Sequence, residues 1–140
     1  MGEGNRTHYE KITGKKAKHG MTIAVDFDGV LNSYKTSVGL DKQYLLPDPP
    51  IEGALEWINE IVQHFNVVVS TCRAHFPKGK EAVEQWLEKH GFPALPVTGE
   101  KPIAHAYIDD RAIPFDNTGY PSVSFIKSFK PWNRRVSSND

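Results

Sequence analysis

Cysteine is almost absent from this chain. Cys72 is the single one, so no internal disulfide can form and a reducing compartment is the natural setting. Neither sign of charge is in excess. Lysine and arginine number 17, matched by 17 aspartates and glutamates, which argues against the broad basic field of a generic nucleic-acid binder and the acidic field of a solvated tail. No apolar run approaches the roughly 18 residues that would span a bilayer, so no membrane is expected as a partner. The first residues are too polar, and too rich in glycine, lysine and histidine, to read as a secretory signal. The six histidines show neither HxH nor HExxH spacing, which speaks against zinc. These absences leave a cytoplasmic domain with one hydrophobic core, in keeping with a length of 140 residues.

Residues 1–20, "MGEGNRTHYEKITGKKAKHG", contain few apolar side chains and no period. Arg6, Lys11, Lys15, Lys16 and Lys18 outweigh Glu3 and Glu10 there. This predicts a flexible basic arm, either merely solvated or helping to hold a phosphate-rich partner. Met21, directly before the first strand, also permits a later start. After it the pattern alternates. Thr22 to Phe27 reads as a buried strand, and "NVVVS" as a second. Between them "IEGALEWINEIVQHF" spaces Ile51, Leu55, Ile58, Ile61, Val62 and Phe65 as an amphipathic helix. "KGKEAVEQWLEKHGF" predicts another helix, with Gly91 at its C-cap. A short strand at "LPV" and a clearer one at "AHAYI" follow, and Ser122 to Phe129 fits a short helix or an edge strand equally well. Such alternation predicts an α/β fold: a mainly parallel sheet in a Rossmann-like three-layer αβα sandwich. Residues 21–130 are expected to form the folded domain and 131–140 a C-terminal tail.

The strand ends carry the chemistry. Right-handed crossovers bring the carboxyl ends of parallel strands to one edge, where open α/β sheets bind ligands. The first strand runs into Asp26-Phe27-Asp28-Gly29, the second into Thr71-Cys72-Arg73, and the last into Asp109-Asp110-Arg111, with Lys101 just ahead of it. Residues i and i+2 of a strand share a side, so Asp26 and Asp28 are expected to face the crevice together. Gly29 lets the backbone turn sharply and approach a ligand. Hard carboxylate oxygens with open positions suit Mg²⁺ and the oxygens of a phosphate, and an ionised carboxylate can attack phosphorus. Against a phosphate dianion, the charges of Mg²⁺, Lys101 and Arg73 still leave these carboxylates in excess, which favours one protonated carboxyl. Asp28 is the candidate, as a proton carrier.

"DFDGVL", a strand ending at Thr71, Lys101 and "YIDDR" resemble, in order and spacing, the motifs of the haloacid dehalogenase (HAD) superfamily of phosphotransferases, over about residues 21–118. The resemblance implies a HAD-like catalytic domain with Asp26 as nucleophile and Asp28 as acid/base. It also implies a Mg²⁺ cofactor held by Asp26, the main-chain carbonyl of Asp28 and one carboxylate of the Asp109-Asp110 pair. Only one is expected because neighbouring strand residues face opposite ways, and resemblance to the family's double-aspartate variants favours Asp110. Thr71 and Lys101 would complete the catalytic set. Gly29, Thr71, Cys72, Arg73 and Lys101 are the substrate-binding candidates. The superfamily's cap domains enter in the gaps between these motifs, and neither gap here has room for one. No cap implies an open site, suited to a phosphorylated nucleic-acid end or to closure by a second subunit of a homo-oligomer. A phosphorylated small molecule held by the loop of Tyr34, Lys35 and Tyr44 remains an alternative. "DGVL" and "IDDR" resemble the deoxyribonucleotidases and polynucleotide 3′-phosphatases of the superfamily, and the small capless chains found in bacteria and phages. The expected activity is therefore phosphomonoester hydrolysis through an aspartyl-phosphate, on a nucleotide or a nucleic-acid end.

Other readings compete. Clustered aspartates with Mg²⁺ would also serve a nuclease-like phosphodiesterase, although that chemistry has no need of Thr71 and Lys101 in these positions. A cysteine phosphatase loop needs an arginine six positions after Cys72, where Lys78 stands, so Cys72 reads better as a half-buried filler. Arg73 fits a phosphate contact and a loop-anchoring ion pair equally. Arg111 reads first as an anchoring ion pair. His75 and Trp132 read as structural before they read as substrate contacts.

Overall fold

A computed structural model describes the backbone of residues 2–135 and the side chains of residues 7–133. Four strands, β1 (Thr22–Asp26), β2 (Asn66–Ser70), β3 (Val97–Thr98) and β4 (Ala106–Ile108), form a sheet in the order β3-β2-β1-β4. Every pairing is parallel. The helices are α1 (Gly2–Thr13), α2 (Ala54–Ile61), α3 (Gly79–Lys89), α4 (Val123–Ser128) and α5 (Trp132–Arg135). This is a mixed α/β fold built on a small all-parallel sheet. No helix among the described residues is long and apolar enough to cross a membrane.

Strand alternation divides the apolar residues between two faces. Ile23, Val25, Val67, Val69 and Val97 meet Ala54 and Ile58 of α2 and Val83, Trp86 and Leu87 of α3 in the main core. Both crossovers, β1 to β2 and β2 to β3, step the same way across the sheet, so right-handed connections place both helices on this face. Trp86 is the hub: its ring meets Phe27 edge-on at 4.9 Å and stacks on Phe92 at 5.8 Å. Its indole N–H donates to the carbonyl of Asp48 at 3.0 Å.

The opposite face is covered differently. The return from β3 to β4 contains no helix; residues 99–105 cross as an extended strap. Three strand spacings are roughly 14 Å, within reach of that segment. Ala104 of the strap packs on Ala24 and Val68 beside Tyr9 and Ala17. The expected flexible arm is therefore a correction: residues 2–13 are helical, and Tyr9 and Ala17 are buried at 7% and 6% exposure. A face left without its crossover helix needs apolar cover, and the N-terminal segment supplies it. Of the expected C-terminal tail, Pro131 is buried, Trp132–Arg135 are helical, and residues 136–140 lie outside the described residues. Ser122 to Phe129 takes the helical alternative, with the Ser122 hydroxyl accepting the amide of Phe125 at its start.

Candidate active site

The carboxyl ends of β1, β2 and β4 meet at one edge. Parallel register sets Asp26 beside Ser70 and Val25 beside Ile108, so Asp109 and Asp110 emerge next to Asp26. Carboxylate oxygens of Asp26, Asp109 and Asp110 lie within 4.8 Å of one another. The structure thus brings both members of the Asp-Asp pair to the cluster, where strand alternation predicted one. β4 ends at Ile108, so alternation no longer governs the residues beyond it. The two differ in surroundings. Asp109 is exposed and its Oδ1 accepts the Arg111 amide at 2.8 Å. Asp110 is half-buried, and its Oδ1 is buried with no hydrogen-bond partner. Gly29 makes room for it: φ there is +83°, and a Cβ would overlap the Asp110 carboxylate.

Burial, then the charge of Asp109, then contact with Asp110 push the Asp26 carboxyl up to about 8. In the ion-free protein Asp26 therefore favours its protonated form at neutral pH. Asp28 has turned to other partners. Its Oδ2 accepts from Arg73 Nε at 2.7 Å and its Oδ1 from Asn32 Nδ2 at 2.9 Å. With both oxygens accepting, Asp28 is bound as a carboxylate, outside the three-aspartate cluster although it still lines the crevice. Asp26 and Asp28 thus share the crevice as the i, i+2 spacing predicts, but their carboxylates part because β1 ends at Asp26; the chain has begun its turn, with Leu31 and Asn32 amides both returning to the Phe27 carbonyl.

Arg73 is 1% exposed. Besides Asp28 it donates through Nη1 to the carbonyls of Gln43 at 2.7 Å and Leu45 at 3.3 Å, and its guanidinium lies 5.8 Å from the Tyr34 ring centre. Of its two readings, the anchoring ion pair is the one realised. Thr71 is buried, and its Oγ1 accepts the Arg73 amide at 3.2 Å, capping a short helical turn over Cys72–His75. That bond leaves the hydroxyl hydrogen to donate elsewhere. Cys72 is exposed rather than half-buried. Lys101 rides on the strap, its Nζ 5.0 Å from the Tyr107 ring centre. Ser70 Oγ fixes the strap by donating to the Glu100 carbonyl at 2.7 Å, and His75 Nε2 lies 2.7 Å from the Gly99 carbonyl.

Asp26, Asp28, Thr71, Cys72, Lys101 and Asp109 line one open crevice of about 470 Å³. Tyr34 and Arg111 also line it, whereas Lys35 and Tyr44 do not. Gly29 and Arg73 act from behind the wall. Two supporting residues, Asn32 and Ser70, were given no role by the sequence, and a third, Trp132, takes the structural reading. Asn32 could have been found as a turn amide four positions after Asp28, but nothing local marks Ser70. Trp132 reaches back across the chain, its indole N–H donating to the Gly29 carbonyl at 2.6 Å, so it braces the turn. The donor set suits a hard divalent cation: three carboxylates converge, one with a buried oxygen lacking any partner.

Fold and site together define an α/β protein with an acidic crevice at the carboxyl edge of a parallel sheet. No family model, curated protein or solved structure matches this chain.

Proposed function

We propose that this chain is a Mg²⁺-dependent phosphomonoester hydrolase of the HAD type, with a Rossmann-like αβα core and no cap. The observation that carries the reading is the convergence of Asp26, Asp109 and Asp110 within 4.8 Å, at a crevice lined by Asp26 and Asp109 together with Thr71 and Lys101. Asp26, Asp109, Asp110 and the Asp28 carbonyl would hold the cation, which when bound draws charge from the phosphoryl oxygens and favours ionised Asp26. One Asp26 oxygen bonds to phosphorus as the bond to the ester oxygen breaks, giving an aspartyl-phosphate. Asp28, freed from Arg73 and protonated, gives its proton to the departing alcohol. It then takes a proton from the water whose oxygen attacks phosphorus, which releases inorganic phosphate and restores Asp26. Thr71 donates its hydroxyl hydrogen to a phosphoryl oxygen, and Lys101 swings from Tyr107 to offset the added negative charge.

Residues between β1 and α2 form only a short turn at Leu40–Lys42 beside loops, and those between β2 and β3 form the Cys72–His75 turn and α3. An uncovered crevice supports a bulky substrate: a nucleotide or a phosphorylated nucleic-acid end. Turnover of nucleoside monophosphates, sugar phosphates and 3′- or 5′-phosphorylated oligonucleotides with Mg²⁺ tests this. Activity on at least one class, abolished in Asp26→Asn, is expected; activity retained in Asp26→Asn overturns the mechanism. Beryllium fluoride, an acyl-phosphate mimic, should bind at Asp26. Phosphodiester cleavage without such binding would point to a nuclease instead.

A further inference from the structure

At the opposite, amino-terminal edge of the sheet a second cavity of about 410 Å³ opens between the α1–β1 connection, the residues after α2 and those leading into β3. Its floor is apolar, made by Val62, Phe65, Leu95 and Pro96, and its rim is cationic. Lys15, Lys16, Lys18 and His19 line it and no aspartate or glutamate does. In a chain whose charges balance overall, this is a local excess of one sign over a concave apolar surface.

The rim is held in place. The amides of Lys18 and His19 both donate to Asn66 Oδ1 at 3.0 Å, and Asn66 Nδ2 donates back to the His19 carbonyl at 2.9 Å. Asn66 is itself 5% exposed. The Ala17 amide donates to Glu10 Oε2 at 2.8 Å, which commits that carboxylate to the backbone. A merely solvated linker has no need of a buried amide holding its backbone. Here that amide fixes a basic segment around the mouth of a cavity. A phosphate monoester carries nearly two negative charges and three acceptor oxygens, matching several ammonium donors, and the cavity falls in the size range of small-ligand sites.

We propose that this cavity is a nucleotide-binding site separate from the aspartate crevice, with the base against the apolar floor and the phosphate among Lys15, Lys16 and Lys18. It stands whether or not the crevice hydrolyses phosphate. A nucleotide could arrive free or as one unit of a single strand, and competition separates the two.

The test is fluorescence anisotropy of a labelled short deoxythymidine oligonucleotide, in EDTA at constant ionic strength, with AMP and inorganic phosphate as competitors. The wild-type chain should saturate, and a Lys15→Glu/Lys16→Glu/Lys18→Glu variant with an unchanged melting profile should weaken binding by about tenfold or more. Lys80→Glu/Lys89→Glu/Lys127→Glu, with the same net charge, should weaken it by less than about threefold. Displacement by AMP identifies the free nucleotide as a ligand; displacement only by unlabelled oligonucleotide identifies a strand. Equal losses in the two variants, wild-type binding in the first, no saturation, or inorganic phosphate competing as well as AMP would each overturn the proposal.

Discussion

Asp26 keeps its proton up to about pH 8 because burial and two neighbouring aspartates oppose the charged form. That has a stability consequence with a definite sign. The unfolded chain releases this proton near the ordinary value of 3.8, the folded chain only near 8. The stabilisation is therefore fully present below about pH 4 and is lost as pH rises to about 8. In EDTA, the melting temperature of the wild type should fall relative to Asp26→Asn across this window, and a pH-independent difference would contradict it. A divalent cation must displace the same proton. Mg²⁺ affinity by calorimetry should thus increase from pH 6 to 8, with proton release. Arg73 poses the opposite problem, a buried cation with one carboxylate and two carbonyls as partners. Arg73→Met leaves Asp28 without its cation, only Asn32 still donating to it, and should cost about 3–5 kcal/mol in urea unfolding. Its role was half legible: the residue stands out beside Thr71, but its partners Gln43 and Leu45 lie in a loop with no periodic signal.

Among the elements, β2 was readable residue for residue, since "NVVVS" is a β-branched run whose preference is local. α2 was readable in kind but not in extent. The apolar spacing runs from 51 to 65, whereas the helix is Ala54–Ile61, beginning after Gly53 at φ +90°. α1 was not readable. Its side-chain anchor Tyr9 meets Ala24 and Val68, far along the chain, and no local pattern encodes such a contact. Trp86 on α3 joins the helix to Phe27, Phe92 and the Asp48 carbonyl. Trp86→Ala should cost about 3–5 kcal/mol, and a loss under about 1 kcal/mol in urea unfolding would mean that the hub is less packed than described. Gly29→Ala acts on the turn after β1. A Cβ there displaces Asp110, so Mg²⁺ affinity should fall by about tenfold or more, and unchanged affinity would remove Asp110 from the cation site.

Over the whole molecule, one sheet separates two chemistries: aspartates at the carboxyl edge and lysines at the amino edge. The carboxyl edge was legible because parallel topology alone gathers strand ends; the amino edge was not, because its cavity depends on where α1 and the connection after it settle. The central claim is that Asp26 carries the phosphoryl group. Rapid acid quench during turnover of an active phosphomonoester with Mg²⁺, followed by peptide mass spectrometry, tests it directly. The account predicts a phosphoryl group on the peptide containing Asp26 and none in Asp26→Asn. Turnover with no labelled peptide, undiminished in Asp26→Asn, would contradict it.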